Sequence, residues 1–225
     1  GKPRAAADRP SRRGGHDGLS MVLPTRSAFN RADFPWQPAP GARFFVIKSY
    51  SEEDVHRSIM YGMWSSTAKG NERLSAAFED CKAQNPSAPL YLFFSVNASG
   101  RFCGCAEMTS AVDYARRADY WQQDKWHGLF EVTWHIVKDV PNSSLRHIIL
   151  ESNDHRPVTN SRDTQEVASA PGRAVLSALH YFPCQTSILD DFEFVDEARG
   201  VISPKAHIQP SAHIQPRADA PPQPP

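Results

Sequence analysis

Leu90-Tyr91-Leu92-Phe93-Phe94-Ser95-Val96, then Asn97-Ala98-Ser99-Gly100, then Arg101-Phe102-Cys103-Gly104-Cys105-Ala106 decides the fold. The first run is a strongly apolar strand rich in aromatic residues. The four residues after it are turn formers, and the third run returns as the hairpin partner. Working outward, Arg43-Phe44-Phe45-Val46-Ile47-Lys48 reads as a further strand. Ser51-Glu52-Glu53-Asp54 has the S-x-x-[DE] form of a capping box and opens a helix. Val55, Ile59 and Met63 share one face of that helix, and Trp64 ends it. A second helix is predicted from about Asn71 to Lys82, with Leu74, Ala77, Phe78 and Cys81 as its stripe, and Pro86 and Pro89 bound the following loop.

Downstream, residues 109–128 are polar and irregular, and Phe130–Val137 alternates polar and apolar residues as a strand does. Asp139-Val140-Pro141-Asn142 breaks it, His147–Leu150 is a short strand, and Gly172–Tyr181 carries the stripe of a last helix. The sum is an α+β (mixed α/β) domain over 41–200: a mostly antiparallel, barrel-like central sheet packed by three to four helices. Residues 1–40, rich in Arg, Gly, Ala and Pro, read as a disordered basic leader. Residues 201–225 read as a disordered Pro-rich tail containing a tandem Ala-His-Ile-Gln-Pro repeat.

Charge and motifs narrow the function classes. The leader carries seven Lys/Arg against three Asp/Glu, whereas 41–200 carries sixteen against twenty-one. An acidic domain does not grip nucleic acid mainly through phosphates, so an RNA ligand must be held by a few local cations and base-specific contacts. No run of about 18 apolar residues is present, so no membrane span is expected. The four cysteines lack zinc-ligand spacing, and reduced thiols fit a cytosolic or nuclear home. Cys103 and Cys105, as C-x-C on a strand, are expected on one face. G-x-S-x-G, H-E-x-x-H, Walker A and G-x-G-x-x-G are all missing, so no enzyme, cofactor or metal is expected. His56 and His135 read as structural, and Asp190 with Asp191 as solvated or capping groups.

The tryptophans stand out. Trp134 suits core packing in its strand, but Trp121 and Trp126 lie in a polar loop, where wet indoles are costly. They either cover a satellite core or wall a stacking pocket for a flat ligand.

Several strings are similar to the YTH domain family: Lys48–Ile59 followed by Met63-Trp64-Ser65-Ser66-Thr67, Phe102–Met108, Trp121–Trp126, Lys138–Asn142 and Asn160–Val167. The resemblance covers about 43–195 in family order. It is nearest the cytoplasmic reader subgroup, because all three cage positions are Trp and Tyr50 follows Ser49; a fungal source is expected. It implies a non-enzymatic reader that takes N6-methyladenosine of single-stranded mRNA into a cage of Trp64, Trp121 and Trp126. The Ser65 carbonyl is then expected to accept the remaining N6–H, with Tyr50 and Asp54 at the base edge. Lys48, Ser49, Ser66, Lys125, Arg162 and Asp163 match positions along the RNA backbone. A monomer in the cytoplasm, with the nucleus as the other location, is expected. The alternatives are a YTH domain reading unmethylated sequence on another face, a protein-interaction module anchored by the Trp loop, and a hydrolase or transferase, for which no nucleophile–base pair is evident.

Overall fold

The computed structural model describes residues 28–116, 128–190, 195–196 and 201–202. In chain order, β1 is Arg43–Ser49, α1 Glu52–Tyr61, β2 Met63–Trp64, α2 Ala68–Gln84, β3 Leu90–Val96, β4 Arg101–Met108 and β5 Phe130–Pro141. β6 (Ile149–Leu150), β7 (Arg156–Pro157), β8 (Gln165–Val167), α3 (Ser169–Tyr181), β9 (Val195–Asp196) and β10 (Val201–Ile202) follow, with single 3₁₀ turns between. Six strands form one sheet in the order β2-β5-β4-β3-β1-β8, curled into a half-barrel. The pairing of β1 with β3 is parallel, and the other pairs in this sheet are antiparallel.

The apolar run at the centre is explained by cover on both sides. Successive side chains of a strand point to opposite faces. Phe45, Ile47, Leu92 and Phe94 face α1 and α2, where Val55, Leu74 and Ala77 meet them. Phe44, Val46, Tyr91 and Phe93 face α3 and its Val175, Leu176 and Leu179. Phe44, Phe45, Phe93 and Phe94 are completely buried, each removal from water contributing up to about 3 kcal/mol.

Several boundaries differ from the sequence reading, each for a local reason. α1 stops at Tyr61, because Gly62 adopts the left-handed conformation (φ 63°) and its N–H caps the Ser58 carbonyl at 2.9 Å. Trp64 therefore sits in β2, opposite Phe130, instead of ending a helix. α2 starts three residues before Asn71, at Ala68, because Thr67 accepts the Gly70 N–H as N-cap. The capping box at Ser51 is half realised. Ser51 Oγ accepts the Asp54 N–H, but the Ser51 N–H turns back to Ser49 Oγ.

β5 runs through Asp139 and Val140 to Pro141, which ends the strand opposite Arg101. β6 is reduced to Ile149–Leu150, and α3 begins at Ser169. The folded unit starts before residue 41: Asn30 Nδ2 donates to the Val137 carbonyl, Phe34 is buried, and Trp36 packs edge-on to Tyr181. At the other end, Val201–Ile202 pairs with Val195–Asp196.

Cys103 and Cys105 fall on opposite faces, one in each core, because the β4–β5 register shifts on either side of Gly104. That bulge needs glycine. Gly104 has φ 155°, and a Cβ there would lie 2.0 Å from the Ile136 carbonyl oxygen. Gly104→Ala should therefore lower the unfolding free energy by about 2–3 kcal/mol. A urea midpoint within experimental error of wild type would show that the bulge tolerates a side chain.

Candidate functional site

β1 and β3 run side by side and end together at Ser49 and Val96, where the Asn97 N–H donates to the Ser49 carbonyl at 2.9 Å. Just beyond these strand ends, a pocket opens with about 310 Å³ of unfilled space counting its mouth. Lys48, Ser49, Tyr50, Asp54, Trp64, Ser65, Ser66 and Asp163 line it. Trp64 is both wall and core. It is only 5% exposed, and its ring meets Phe94 edge-on with centroids 4.9 Å apart. Tyr50, by contrast, is 70% exposed.

The wall opposite β1 is held by a small polar network. Asp163 accepts the Lys48 N–H on Oδ1 at 2.9 Å and the Ser66 hydroxyl on Oδ2 at 2.8 Å. Ser66 in turn donates its N–H to Asn71 Oδ1 at 2.8 Å. Ser65 Oγ donates to the Gly128 carbonyl at 2.7 Å, and Asn71 Nδ2 reaches the same oxygen at 3.4 Å. Arg73 Nη1 donates to both the carbonyl and hydroxyl of Thr164, fixing the segment that carries Asp163.

The electrostatics run in one direction. Burial raises the carboxyl pKa of Asp54, against the Ser51 hydrogen bond and Arg57, which lower it. Burial likewise raises Asp163, against the hydrogen bonds from Lys48 and Ser66. Lys48 is lowered by burial, and its Nζ lies over the Phe102 ring with Ser95 Oγ at 3.2 Å. Burial pushes all three groups toward their neutral forms.

The structure brings Lys48, Ser49, Tyr50, Asp54, Trp64, Ser65, Ser66 and Asp163 together, all of them residues singled out in the sequence. Arg162 is exposed beside Asp163 and is not among the lining residues. Trp121, Trp126 and Lys125 lie outside the described residues. Lys48 differs from expectation, because its ammonium is turned onto Ser95 and Phe102. Asn71 and Gly128 were not anticipated as site residues. A signal existed for Asn71: asparagine inside a helix is unfavourable unless its side chain is engaged elsewhere. Other titratable groups are tied into structure. His56 Nε2 meets the Ile188 carbonyl, His135 Nε2 lies 3.1 Å from Glu107, and Asp190 accepts from Ser187. Burial pushes the Cys103 thiol up to about 12, which leaves no thiolate at neutral pH. No group of three or more His, Cys, Asp or Glu suited to a metal occurs among the described residues. No described helix is long and apolar enough to cross a membrane.

Comparison with known proteins fits this geometry. The YT521-B-like (YTH) domain profile matches residues 42–180. The chain belongs to the YTH domain family. YTH domain-containing protein ECT2 of Arabidopsis thaliana is 52% identical over 186 residues, covering 83% of this chain and 28% of that protein. Human YTH domain-containing family protein 3 is 57% identical over 164 residues, covering 73% of this chain and 27% of that protein. The chain thus spans under a third of the length of these two relatives. The YTH domain of Zygosaccharomyces rouxii MRB1, solved in complex with N6-methyladenosine RNA, superimposes with TM-score 0.60 and 44% identity, covering 66% of this chain and 92% of that one. The Pho92 YTH domain in complex with m6A gives TM-score 0.65 and 42% identity, covering 69% and 97%.

In this YTH domain the Asp163 bridge is the contact most open to test. Asp163→Ala leaves the Lys48 N–H without its acceptor and should cost about 1–3 kcal/mol of stability, read by denaturant titration. Asp163→Asn, which keeps an acceptor, should cost less. Equal stability of all three proteins would show that the bridge does not hold the pocket.

Proposed function

We propose that this YTH domain is an RNA-binding reader module that draws an N6-methyladenosine base out of single-stranded RNA into the pocket. The observation that carries it is a small pocket with an indole wall, where burial drives Asp54, Asp163 and Lys48 toward their neutral forms. Such a site rejects phosphate and suits an uncharged heterocycle. The two solved relatives named above, in complex with N6-methyladenosine, support the same occupant.

The roles follow from donor and acceptor chemistry. Trp64, Trp121 and Trp126 enclose the base. Aromatic walls offer a methyl group rigid apolar area and dispersion contact that water cannot match. The sequence puts Trp126 two residues before Gly128, whose carbonyl is bonded to Ser65 of the pocket. The Ser65 carbonyl accepts the one remaining N6–H, and Tyr50 and Asp54 face the base edge. Ser49, Ser66, Lys125, Arg162 and Asp163 border the RNA backbone, with Lys48 contributing through its backbone more than its ammonium. The module works without catalysis, as a cytoplasmic monomer acting on mRNA.

Calorimetric titration with paired short RNAs tests this. One buried methyl contributes about 0.8 kcal/mol, and the unfilled slot left by plain adenosine adds a cavity cost. Methylated RNA should therefore bind at least about tenfold more tightly. Equal affinity would move RNA recognition to another face and contradict the proposal.

Asp54 gives a second prediction. N1 of the base only accepts hydrogen bonds, as does an ionised carboxylate, so the two repel until a proton is shared. Burial raises the Asp54 pKa, so acidification protonates it sooner than it would a free Asp. Binding by the wild type should strengthen as pH falls toward about 5, since Asp is ionised only above its pKa. Asp54→Asn supplies the donor at every pH. It should bind methylated RNA about 0.5–1.5 kcal/mol more tightly at neutral pH and lose the acid dependence. Weaker or equal binding by the variant would remove Asp54 from the base edge.

A further inference from the structure

We infer that Asn71, which lies outside the pocket lining, is the positioning residue that aims the Ser65 carbonyl at the base and steadies the Gly128 carbonyl to which Ser65 is bonded. This deepens the reading above and rests on it. Asn71 is completely buried in the first turn and a half of α2, where an asparagine without a task would be a liability. Its two ends do different work. Oδ1 accepts the Ser66 N–H at 2.8 Å, and Nδ2 donates toward the Gly128 carbonyl at 3.4 Å.

The first bond fixes a direction. No described peptide is cis, so the N–H of Ser66 and the carbonyl of Ser65, which share one peptide plane, point opposite ways. Holding the N–H against α2 turns the carbonyl away from the helix. The Ser65 hydroxyl is already committed to Gly128, so the carbonyl is the acceptor that Ser65 can offer to the pocket it lines. The second bond reaches the same Gly128 carbonyl that Ser65 holds, so one amide sets both the acceptor and its neighbour. Among uncharged side chains of this size, asparagine alone presents an acceptor and a donor on one planar group.

The two functions separate experimentally. N6-methyladenosine keeps one N6–H, whereas N6,N6-dimethyladenosine has none. The affinity ratio for short RNAs carrying one or the other therefore reports the bond to Ser65, and a general loss of fold does not move it. Asn71→Ala should reduce the mono- over dimethyl preference by about five- to tenfold, the value of one hydrogen bond. Asn71→Asp keeps the acceptor for the Ser66 N–H and loses the donor to Gly128. It should retain the preference, bind more weakly than wild type at neutral pH, and close that gap in acid as the buried carboxyl takes up a proton.

An unchanged preference in Asn71→Ala overturns the inference. So does an Asn71→Asp protein that matches wild type at both pH values. If Asn71→Ala does not fold, Asn71→Asp carries the test alone; if neither folds, Asn71 serves the fold only and the inference falls. A wild type that ignores methylation would refute the proposed function itself. A wild type that prefers methylated RNA but treats mono- and dimethyl bases alike would refute only the role of Ser65 and Asn71.

Discussion

The Asp163 carboxylate accepts one hydrogen bond from the backbone of β1 and one from the hydroxyl of Ser66, and the two walls of the pocket meet through it. Burying a carboxylate away from water is unfavourable unless its oxygens are answered. Here both are, and the cost that remains appears as its raised pKa. Ser66 is thereby held twice, its hydroxyl by Asp163 and its N–H by Asn71, and the adjoining Ser65 is bonded to Gly128. β1 supplies the other half from the interior of the sheet, where Phe44–Ile47 are packed on both faces.

The same dryness that penalises charge suits the pocket to a neutral base. Asp54, Asp163 and Lys48 all carry the penalty, and all three line the one pocket. Trp64 shows how the site is supported. One indole packs edge-on against Phe94 and also lines the pocket, so the wall is as rigid as the core behind it. Recognition of one methyl group is worth little in area alone, and rigid walls turn an unfilled slot into an additional cost. The pocket sits at the ends of β1 and β3, two strands whose interiors are buried on both faces.

Elements defined by their own residues were legible in the sequence. β3 was read with its observed limits, and β1 within one residue, because unbroken apolar runs between turn formers leave no alternative. The start of α1 followed from Ser51. Elements defined by their partners were not legible. β2 and β8 are two and three residues long and exist only because β5 and β1 lie alongside. The parallel pairing of β1 with β3 and the bulge at Gly104 are likewise tertiary events, which is why Cys103 and Cys105 part company. The site divides in the same way. The residues that line the pocket were picked out through the family resemblance, which reads strings in order. Asn71 and Gly128 act behind those strings, and only coordinates reveal what they hold.

The most direct measurement of the central claim is a backbone-amide NMR titration with the N6-methyladenosine nucleoside, which has no phosphate to steer it elsewhere. The account predicts that the largest shifts fall on Tyr50, Asp54, Trp64, Ser65 and Ser66, and that plain adenosine at the same concentration moves them much less. Shifts centred instead on the groove between Phe34, Trp134 and His135, or equal responses to the two nucleosides, would contradict it.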